Sequence, residues 1–441
     1  MKVIHVPFCF RPDPIGGTEI YVERLAREQQ RRGVDVVVAA PASETSRYMD
    51  AGLSVHRFAV SGVSHLSSLY GDGDDIARRE FNCIVDQERP DVVHLHAFTR
   101  AVSARLADDV RRRGVRLVFT YHTPTVSCQR GTLLRWGRTT CDGKLTVHTC
   151  AGCALHGLGV GRKTSALLGA VPTGVGRIAG GLGLAGGPWT GLRMTELVRN
   201  QHDAFRSFMH AADRIVVLCD WAGELLKLNS IPVEKLILSR HGLPQSAALA
   251  ADLPRTRRQH VPLRVVFLGR LHPTKGVDTL LRAIAALPGV RLDLDVYGVA
   301  EDGTDSSYVR SLRALAANDP RVRWCAPVPS EQVLSVLRGY DVVAVPSRWL
   351  ETGPQVVLEA FAAGVPVVGS RLGGLVELVD DRVDGLLVDP DSVAEWAKTL
   401  RELVEHPAML QRLSAGVRPP RGMDAVVDDM ENVYRALLRQ P

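Results

Sequence analysis

Short runs of β-branched residues alternate with amphipathic helical segments along most of this chain, and the alternation begins twice. The first series starts at residue 2 and the second at residue 263, and the strand-like runs are almost wholly apolar. Strands that helices bury on both faces have this composition, and strand–helix–strand repetition predicts a parallel, doubly wound sheet. We therefore expect two α/β domains, which also suits a length of 441 residues.

Breaks in this pattern predict the domain boundaries. Residues 243–262 are rich in Pro, Ala and Arg and lack a buried-strand pattern, which is typical of a linker. The prediction is a first domain over 1–242, with an insert at about 123–195, and a second domain over 263–418. A helix within 419–441 follows a Pro-Pro step, and it either completes the second domain or crosses back to the first.

Composition and charge narrow the class of protein. Hydrophobic residues make up 45% and charged residues 23% of the chain, which is ordinary for a globular protein. The net charge is +6, but no dense Lys/Arg run carries interleaved aromatic residues, so we expect no nucleic-acid partner. The first residues form a strand-like run without the basic and apolar regions of a signal peptide, which predicts a cytoplasmic protein.

Two loops carry residues that suit an anionic ligand, because doubly wound sheets bind ligands beyond the carboxyl ends of their strands. Gly16 and Gly17 follow the first strand, where a backbone without side chains lets an anion approach a helix N-terminus. Arg270 and Lys275 follow the first strand of the second domain, before a helix that starts near Val277. A plain tight turn and solvated surface cations are the alternatives.

The stretch ETGPQVVLE contains two carboxylates, Glu351 and Glu359. Gly353 and Pro354 suit a helix start with Pro at the first position, so Glu351 lies in the loop and Glu359 lies more than one turn inside the helix. The exposed amides of residues 352–356 then point at whatever lies between the two carboxylates. Sugar hydroxyls, a diphosphate and ribose hydroxyls fit this layout, and a dipole-complementing Glu351 with a surface-paired Glu359 is the alternative.

These segments resemble glycosyltransferase family 4, whose members are retaining enzymes of GT-B fold. ETGPQVVLE is similar to the E-x7-E motif of the family, GRLHPTKG to its GRL-x-x-x-KG segment, and IGGTE and TYHTP to segments of its N-terminal domain. The resemblance implies two Rossmann-like domains that face each other across a cleft. It implies transfer of a hexose-type sugar from a nucleoside-diphosphate sugar to an acceptor hydroxyl, with no metal required for catalysis.

The resemblance also implies roles for single residues. Glu359 matches the glutamate that holds the ribose, and Glu351 matches the one beside the hydroxyls of the donor sugar. His122, in TYHTP, matches the histidine near the sugar and the reacting centre. Many members continue with Gly or Ser and then Phe-Gly after the first glutamate, so the present sequence changes the lining of the sugar pocket. The implied catalytic residues are His122, Glu351, Arg270 and Lys275, and the implied donor-binding residues are Gly16, Gly17, Arg270, Lys275, Glu351, Thr352, Gly353, Pro354, Gln355 and Glu359.

Two other functions stay open at this point. A GT-B sugar-nucleotide epimerase or hydrolase would release free sugar without an acceptor, and a nucleotide-sugar-binding protein would not turn the donor over. The acceptor can be a small molecule, a glycan or a lipid-linked compound. Residues 160–193 lack acidic residues and carry four cations among apolar residues and glycines. Peripheral contact with the inner face of a membrane and a Gly-rich packed segment with short helices are both compatible with that composition.

Four of the eight cysteines fall in the insert, spaced C-x12-C-x8-C-x2-C, and some members of the family carry a similar insert. A reducing compartment disfavours disulfides, and a closing C-x-x-C with two further thiolates can complete a tetrahedral S4 site. Structural zinc is the first choice, an iron–sulfur cluster the second, and four unliganded thiols the remaining alternative. The predicted ligands are Cys128, Cys141, Cys150 and Cys153; Cys9, Cys83, Cys219 and Cys325 lie in apolar contexts that predict burial.

Overall fold

The computed structural model describes residues 1–13, 16–63, 65–244, 262–300 and 306–440. The chain forms two compact units, of which the first comprises Met1–Arg240 with Val426–Pro441 and the second His241–Ala425. Most of the linker predicted over 243–262 lies outside the described residues.

The first unit is built on one large sheet, to which a small hairpin and a run of helices are added. Its elements in chain order are β1 (Lys2–Val6), α1 (Gly17–Arg31), β2 (Asp35–Ala42), β3 (Ser46–Asp50), β4 (Leu53–Ala59), α2 (Asp75–Glu88), β5 (Val92–Leu95), α3 (Ala104–Arg112), β6 (Arg116–Tyr121), β7 (Leu134–Arg135), β8 (Thr139–Thr140), α4 (Val147–Gly157), α5 (Arg162–Gly169), α6 (Thr173–Gly181), α7 (Gly187–Ala211), β9 (Arg214–Val217), α8 (Asp220–Leu228) and β10 (Leu236–Leu238).

The strands of this sheet run in the order β10-β9-β6-β5-β1-β2-β4-β3. Neighbouring strands are parallel except for β3, which is antiparallel to β4. β1 lies at the centre, with β2 on one side and β5 on the other, so the chain changes direction across the sheet at β1. The central strands are buried because valine-rich runs are covered by helices on both faces.

The insert is helical over most of its length, and glycines let its helices approach closely. A Cβ atom on Gly169 would lie 2.7 Å from the backbone nitrogen of Gly152, and one on Gly152 would lie 3.0 Å from the carbonyl oxygen of Ser165. Short packed helices therefore form within the predicted membrane-contact segment 160–193. Among the helices of the described residues, none has both the length and the apolar character needed to cross a membrane.

The second unit carries a sheet of its own. Its elements are β11 (Leu263–Arg270), α9 (Val277–Ala285), β12 (Leu292–Val299), α10 (Ser307–Ala316), β13 (Val322–Cys325), α11 (Val333–Leu337), β14 (Val342–Val345), α12 (Gln355–Ala362), β15 (Val367–Ser370), α13 (Gly374–Leu378), β16 (Gly385–Val388), α14 (Val393–Glu405), α15 (Pro407–Gly416) and the start of α16 (Met423–Leu438).

All six strands of this second sheet are parallel, in the order β13-β12-β11-β14-β15-β16. Val265 and Val266 are adjacent on β11 and belong to different apolar clusters, one on each face of the sheet. This two-sided burial is why the strands read as continuous apolar runs in the sequence.

The last helix, α16, joins the first unit from Val426 onward. The Tyr434 hydroxyl lies 2.6 Å from Nδ1 of His94, and Oγ of Ser239 donates to Oδ2 of Asp429 at 2.7 Å. Of the two placements that the sequence leaves open for this helix, the structure shows contact with the first unit.

The burial predicted for the isolated cysteines holds for Cys219, whereas Cys9 and Cys325 are only partly buried. The prediction is wrong for Cys83, which is exposed. Helix α2 turns Phe81, Ile84 and Val85 toward the core, and position 83 falls on its opposite face.

Candidate active site

The loops after β11 and β14 leave the same edge of the second sheet side by side. β11 lies between β12 and β14, so the sheet order changes direction there, and doubly wound sheets bind ligands at such a point. The backbone nitrogen of Arg348 donates to the carbonyl oxygen of Thr274 at 2.8 Å. Gly276 has φ +65, and a Cβ atom on it would lie 1.9 Å from the carbonyl oxygen of Pro346, so only glycine fits between the two loops.

An ion pair joins these two loops. Nζ of Lys275 donates to both carboxylate oxygens of Glu351, at 2.8 Å and 2.9 Å, and the Ser347 hydroxyl donates to Oε1 of the same carboxylate. Glu351 is only 7% exposed. Burial raises the pKa of Glu351, but the charge and hydrogen bonds of Lys275, with Ser347, outweigh it and hold that pKa below its usual value. The site therefore holds an ionised carboxylate at neutral pH.

The two predicted carboxylates lie on either side of the start of helix α12, Glu351 in the loop before it and Glu359 within it. The helix starts at Gln355, and Pro354 is the residue just before it, whereas the sequence predicts Pro354 at the first helical position. Gly353 has φ +147, and a Cβ atom there would lie 2.9 Å from Cδ2 of His241, which fixes glycine at this position. Glu359 lies in the second turn of α12 and is partly buried.

The other predicted donor-site residues take these places. Arg270 is the last residue of β11 and is exposed, and Thr352 is buried in the loop beside Glu351. In the first unit, Gly16 caps α1 and Gly17 is its first residue, and the Gly16 nitrogen donates to Oε2 of Glu19 at 3.0 Å. Residues 14–15 of that loop lie outside the described residues.

His122 follows β6 in the first unit and is 5% exposed. Its Nε2 atom lies 3.0 Å from Nδ1 of His96, and its ring packs edge-on against Tyr21 with centroids 5.1 Å apart. The predicted reactive histidine is therefore held by a second histidine.

The four cysteines of the insert share one region of the first unit, and none of them forms a disulfide. Cys150 and Cys153 lie one turn apart on α4, Cys141 follows β8, and Cys128 follows a short turn after β6. Burial, with smaller effects of the Cys128, Cys141 and Cys153 thiols, raises the pKa of Cys150 to about 11. The backbone nitrogen of Trp136 donates to Sγ of Cys153 at 3.3 Å.

The donor set suits a soft cation, because four neighbouring thiols ionise together only beside a positive charge. The sulfurs are not gathered into a tetrahedron, however. Among the residues that the structure describes, the group of three whose ligand atoms lie within 4.8 Å of one another is His5, His94 and His96.

Comparison with known proteins identifies the family. The model of the glycosyl transferase 4-like domain matches residues 16–242, and the model of glycosyl transferases group 1 matches residues 253–418. The chain belongs to glycosyltransferase family 4. This confirms the family that the sequence motifs resemble.

Relatives of family 4 match this chain at two levels of coverage. The D-inositol 3-phosphate glycosyltransferase of Mycolicibacterium smegmatis is 43% identical over 154 residues, which are 34% of this chain and 35% of that protein. The match to the protein of the same name from Saccharomonospora viridis is 37% identical and covers 47% of this chain and 48% of that protein. The protein of that name from Acidothermus cellulolyticus is 27% identical over 99% of this chain and 88% of its own length. The matches to the first two relatives thus span about a third to a half of their length.

Solved structures confirm the GT-B fold. A glycosyltransferase from Rickettsia africae has a TM-score of 0.66 at 12% identity, with 100% of this chain and 99% of that chain covered. Sucrose-phosphate synthase from Thermosynechococcus elongatus has a TM-score of 0.65 at 17% identity, with both chains covered completely. Anabaena HepE in complex with UDP and glucose has a TM-score of 0.65 at 16% identity, with 99% of this chain and 100% of that chain covered.

Sequence reasoning missed Arg348, which ties the family 4 loops together. Its guanidinium donates to Asp278 at 2.7 Å and 2.9 Å and also pairs with Asp391, so that α9, the β14–α12 loop and the segment before α14 are fixed to one another. It also missed Ser347, the hydroxyl partner of Glu351. An Arg beside a Ser after a strand is too common to predict either role, because their partners are distant in sequence.

Proposed function

We propose that this protein transfers a hexose-type sugar from a nucleoside-diphosphate sugar to an acceptor hydroxyl, with retention of anomeric configuration. The observation that carries the proposal is the ion pair of Lys275 with the buried carboxylate of Glu351 at the switch point of the second sheet. A buried carboxylate kept ionised by one lysine gives this edge of the sheet both an acceptor for sugar hydroxyls and a cation for phosphate.

The leaving group determines what the cations do. Cleavage of the anomeric bond produces an oxocarbenium-like sugar and a diphosphate with an additional negative charge. The ammonium group of Lys275 has three N–H donors, and two of them form hydrogen bonds to Glu351. The third N–H can form a hydrogen bond to the diphosphate. Arg270 and the first amides of α12 are the other groups that we assign to this developing charge. Glu359, one turn further along α12, is assigned to the ribose.

The resemblance to the family assigns further roles to the first unit. By that resemblance Gly16 and Gly17 are assigned to the diphosphate, and His122 is assigned to the sugar. Retention arises from attack on the same face of the sugar, without a nucleophile from the protein. No divalent metal is assigned to this chemistry.

An inositol phosphate is the first acceptor to test, because relatives named for D-inositol 3-phosphate match this chain at up to 43% identity. UDP-glucose is among the first donors to test, because UDP and glucose occupy the related fold of HepE. Both assignments concern this chain only as proposals, since the matches to the Mycolicibacterium smegmatis and Saccharomonospora viridis proteins cover less than half of the length of each.

We also propose a cytoplasmic location with peripheral contact to the inner face of a membrane through residues 160–193. Val175, Ile178 and Leu182 are spaced three and four residues apart, as on one helical face, and Leu167 and Trp189 are exposed on the neighbouring helices. The segment carries cations and no carboxylate, so an apolar face with a basic surround is available to anionic headgroups. A lipid-linked acceptor would suit such a surface.

For the cysteines we propose a structural zinc site formed by Cys128, Cys141, Cys150 and Cys153. Four thiolates leave no open coordination position, so the ion would staple the insert and take no part in catalysis. The helices beside the hairpin β7–β8 share an apolar cluster of only five buried residues, and a structural ion suits a segment with so small a core. The cluster consists of Ala151, Ala154, Leu155, Met194 and Val198.

The test is a screen of nucleoside-diphosphate sugars against acceptors that include D-inositol 3-phosphate, with products identified by mass spectrometry. A glycoside that forms only with both substrates present is the expected result. Release of free sugar regardless of acceptor would contradict the proposal and indicate a hydrolase or epimerase. Donor binding without consumption would contradict it and indicate a binding protein.

A further inference from the structure

Four histidines meet inside the first unit, at the carboxyl ends of three neighbouring strands. His5 lies on β1, His94 on β5, His96 just after β5 and His122 just after β6, and none is more than 5% exposed. The strand order β6-β5-β1 places them beside one another. The rings of His94 and His96 stack at 4.1 Å between centroids, and those of His96 and His122 lie 5.2 Å apart.

Three of these rings form a line of hydrogen bonds that ends at a glutamine. Oε1 of Gln29, on α1, lies 2.7 Å from Nε2 of His5. Nδ1 of His5 lies 3.0 Å from Nε2 of His96, and Nδ1 of His96 lies 3.0 Å from Nε2 of His122. A neutral imidazole donates from one nitrogen and accepts at the other, so a proton fixed at one end of the line fixes every proton along it.

Gln29 supplies the fixed end. The structure turns Oε1 of this amide toward His5 and leaves Nε2 of Gln29 buried without a hydrogen-bond partner among the described residues. A carbonyl oxygen only accepts, so in this amide orientation His5 carries its proton on Nε2 and accepts at Nδ1. His96 then donates from Nε2 and accepts at Nδ1, and His122 donates from Nε2. Burial keeps His5 and His96 neutral, because it lowers the pKa of His5 to about 4 and the pKa of His96 well below its usual value.

We propose that Gln29, His5 and His96 are positioning residues that fix the tautomer of His122, with the proton on Nε2 and a lone pair on Nδ1. What this does for catalysis rests on the proposed function. A neutral His122 ring places no positive charge beside an oxocarbenium-like sugar. Its Nδ1 atom can also accept a hydrogen bond from a substrate hydroxyl.

A transition metal is the competing occupant, because ligand nitrogens of His5, His94 and His96 lie within 4.8 Å of one another. Both nitrogens of His5 already bond protein groups. Those of His94 lie 2.6 Å from the Tyr434 hydroxyl and 2.7 Å from Oγ1 of Thr120. A metal would break hydrogen bonds at two fully buried rings, which is why we favour the hydrogen-bonded line.

The direct test is ¹⁵N NMR of the full-length protein with labelled histidine at neutral pH, with His122 assigned from the His122→Asn variant. The expected spectrum shows a protonated Nε2 and an unprotonated Nδ1 for His122. A proton on Nδ1 with none on Nε2 would mean that the amide of Gln29 faces the other way, and protons on both nitrogens would mean a cationic ring. Either result would overturn the proposal in the unmodified protein.

Variants test whether the tautomer depends on Gln29. Gln29→Met removes the acceptor, and the His122 resonances are expected to move at least a third of the way toward the other tautomer. Gln29→Glu keeps an acceptor and should restore the native positions. Gln30→Met is the matched control, because Gln30 is the exposed neighbour on α1 and its side chain donates to the carbonyl oxygen of Gly52, away from the histidines.

Unchanged His122 resonances in folded Gln29→Met protein would overturn the relay. So would a transition metal that persists in Cys150→Ser protein and is lost in His94→Ala protein. The spectra require no turnover, so the relay and the proposed function fail separately. A fixed tautomer without sugar transfer would remove only the proposed function, and sugar transfer with mixed tautomers would remove only the relay.

Discussion

Nζ of Lys275 lies 2.8 Å and 2.9 Å from the two carboxylate oxygens of Glu351, although the residues are 76 positions apart. The register of β11 with β14 creates this contact, because it brings the two loops to one edge of the sheet. The Glu351 side chain is 8% exposed and the Lys275 side chain 18% exposed, so the carboxylate in particular loses its compensation if its partner is removed.

Substitutions in this pair test its role in donor chemistry. We expect Lys275→Ala and Glu351→Gln each to lower turnover at least about a hundredfold, because each removes a charge from the reacting site. The double variant should lose less than the product of the two, since the residues act as a unit. Steady-state kinetics of all three variants measures turnover, and circular dichroism checks that each variant is folded.

Lys398→Ala is the matched control for this experiment. Lys398 pairs with Glu402 at 3.8 Å on the exposed face of α14 in the same unit. Its loss should leave turnover unchanged. Near-native activity of Lys275→Ala would show that the diphosphate lies elsewhere.

A buried histidine outside the site predicts how stability depends on pH. His202 on α7 is 1% exposed, and neither ring nitrogen has a hydrogen-bond partner among the described residues. Burial lowers the pKa of His202 to about 4. Between pH 6.5 and 4 the unfolded chain therefore binds more protons at this residue, so its contribution to stability falls as the pH falls.

We expect His202→Phe to raise the free energy of unfolding by about 1 kcal/mol at pH 7, because two buried unbonded nitrogens disappear. When the pH is lowered from 7 to 5, the free energy of unfolding should also fall by about 2 kcal/mol less in the variant than in the native protein. Urea unfolding at both pH values measures the free energy of unfolding. The control is His65→Phe, because His65 is exposed. An unchanged pH dependence would show that His202 binds its proton over the same pH range in the folded protein as in the unfolded chain.

Membrane contact through residues 160–193 predicts co-sedimentation with vesicles that contain anionic lipid. Ile178 and Leu182 are 69% and 70% exposed, and Ile178→Glu with Leu182→Glu should reduce the bound fraction several-fold. Met49→Glu is the control, because Met49 is 65% exposed on β3, outside the segment. Equal binding of all variants would refute membrane contact through residues 160–193. Binding that occurs only in the absence of salt would show non-specific charge attraction and would also contradict the proposal.

The zinc proposal predicts about one equivalent of zinc in protein purified without a metal-affinity tag. Cys150→Ser should lose the zinc and lower the melting temperature, whereas Cys83→Ser, at an exposed cysteine of α2, should keep it. Elemental analysis and thiol titration decide the matter. Iron in place of zinc, or four freely titrating thiols with no metal, would each contradict the proposal.

The sequence predicts the fold well because its strands are buried on both faces and its helices are amphipathic, so each element carries its own signal. The loops with Lys275 and Glu351 can be found because the ends of neighbouring parallel strands meet at one edge of the second sheet, and the Gly16 loop can be found because it follows the first strand of the other sheet. The line from Gln29 to His122 could not be found this way. It depends on the register of β1, β5 and β6, and the single hint is the alternation of His94 and His96 toward one face of β5.

The most direct test of the central claim follows the anomeric proton of an α-linked donor, UDP-glucose first, by ¹H NMR with the native protein and Lys275→Ala in parallel. The proposed function predicts an α-glycoside that appears as the donor disappears, requires the acceptor, and forms at least about a hundredfold more slowly with Lys275→Ala. A β-glycoside would contradict retention. Equal rates with both proteins would contradict the assignment of the active site to the Lys275–Glu351 pair.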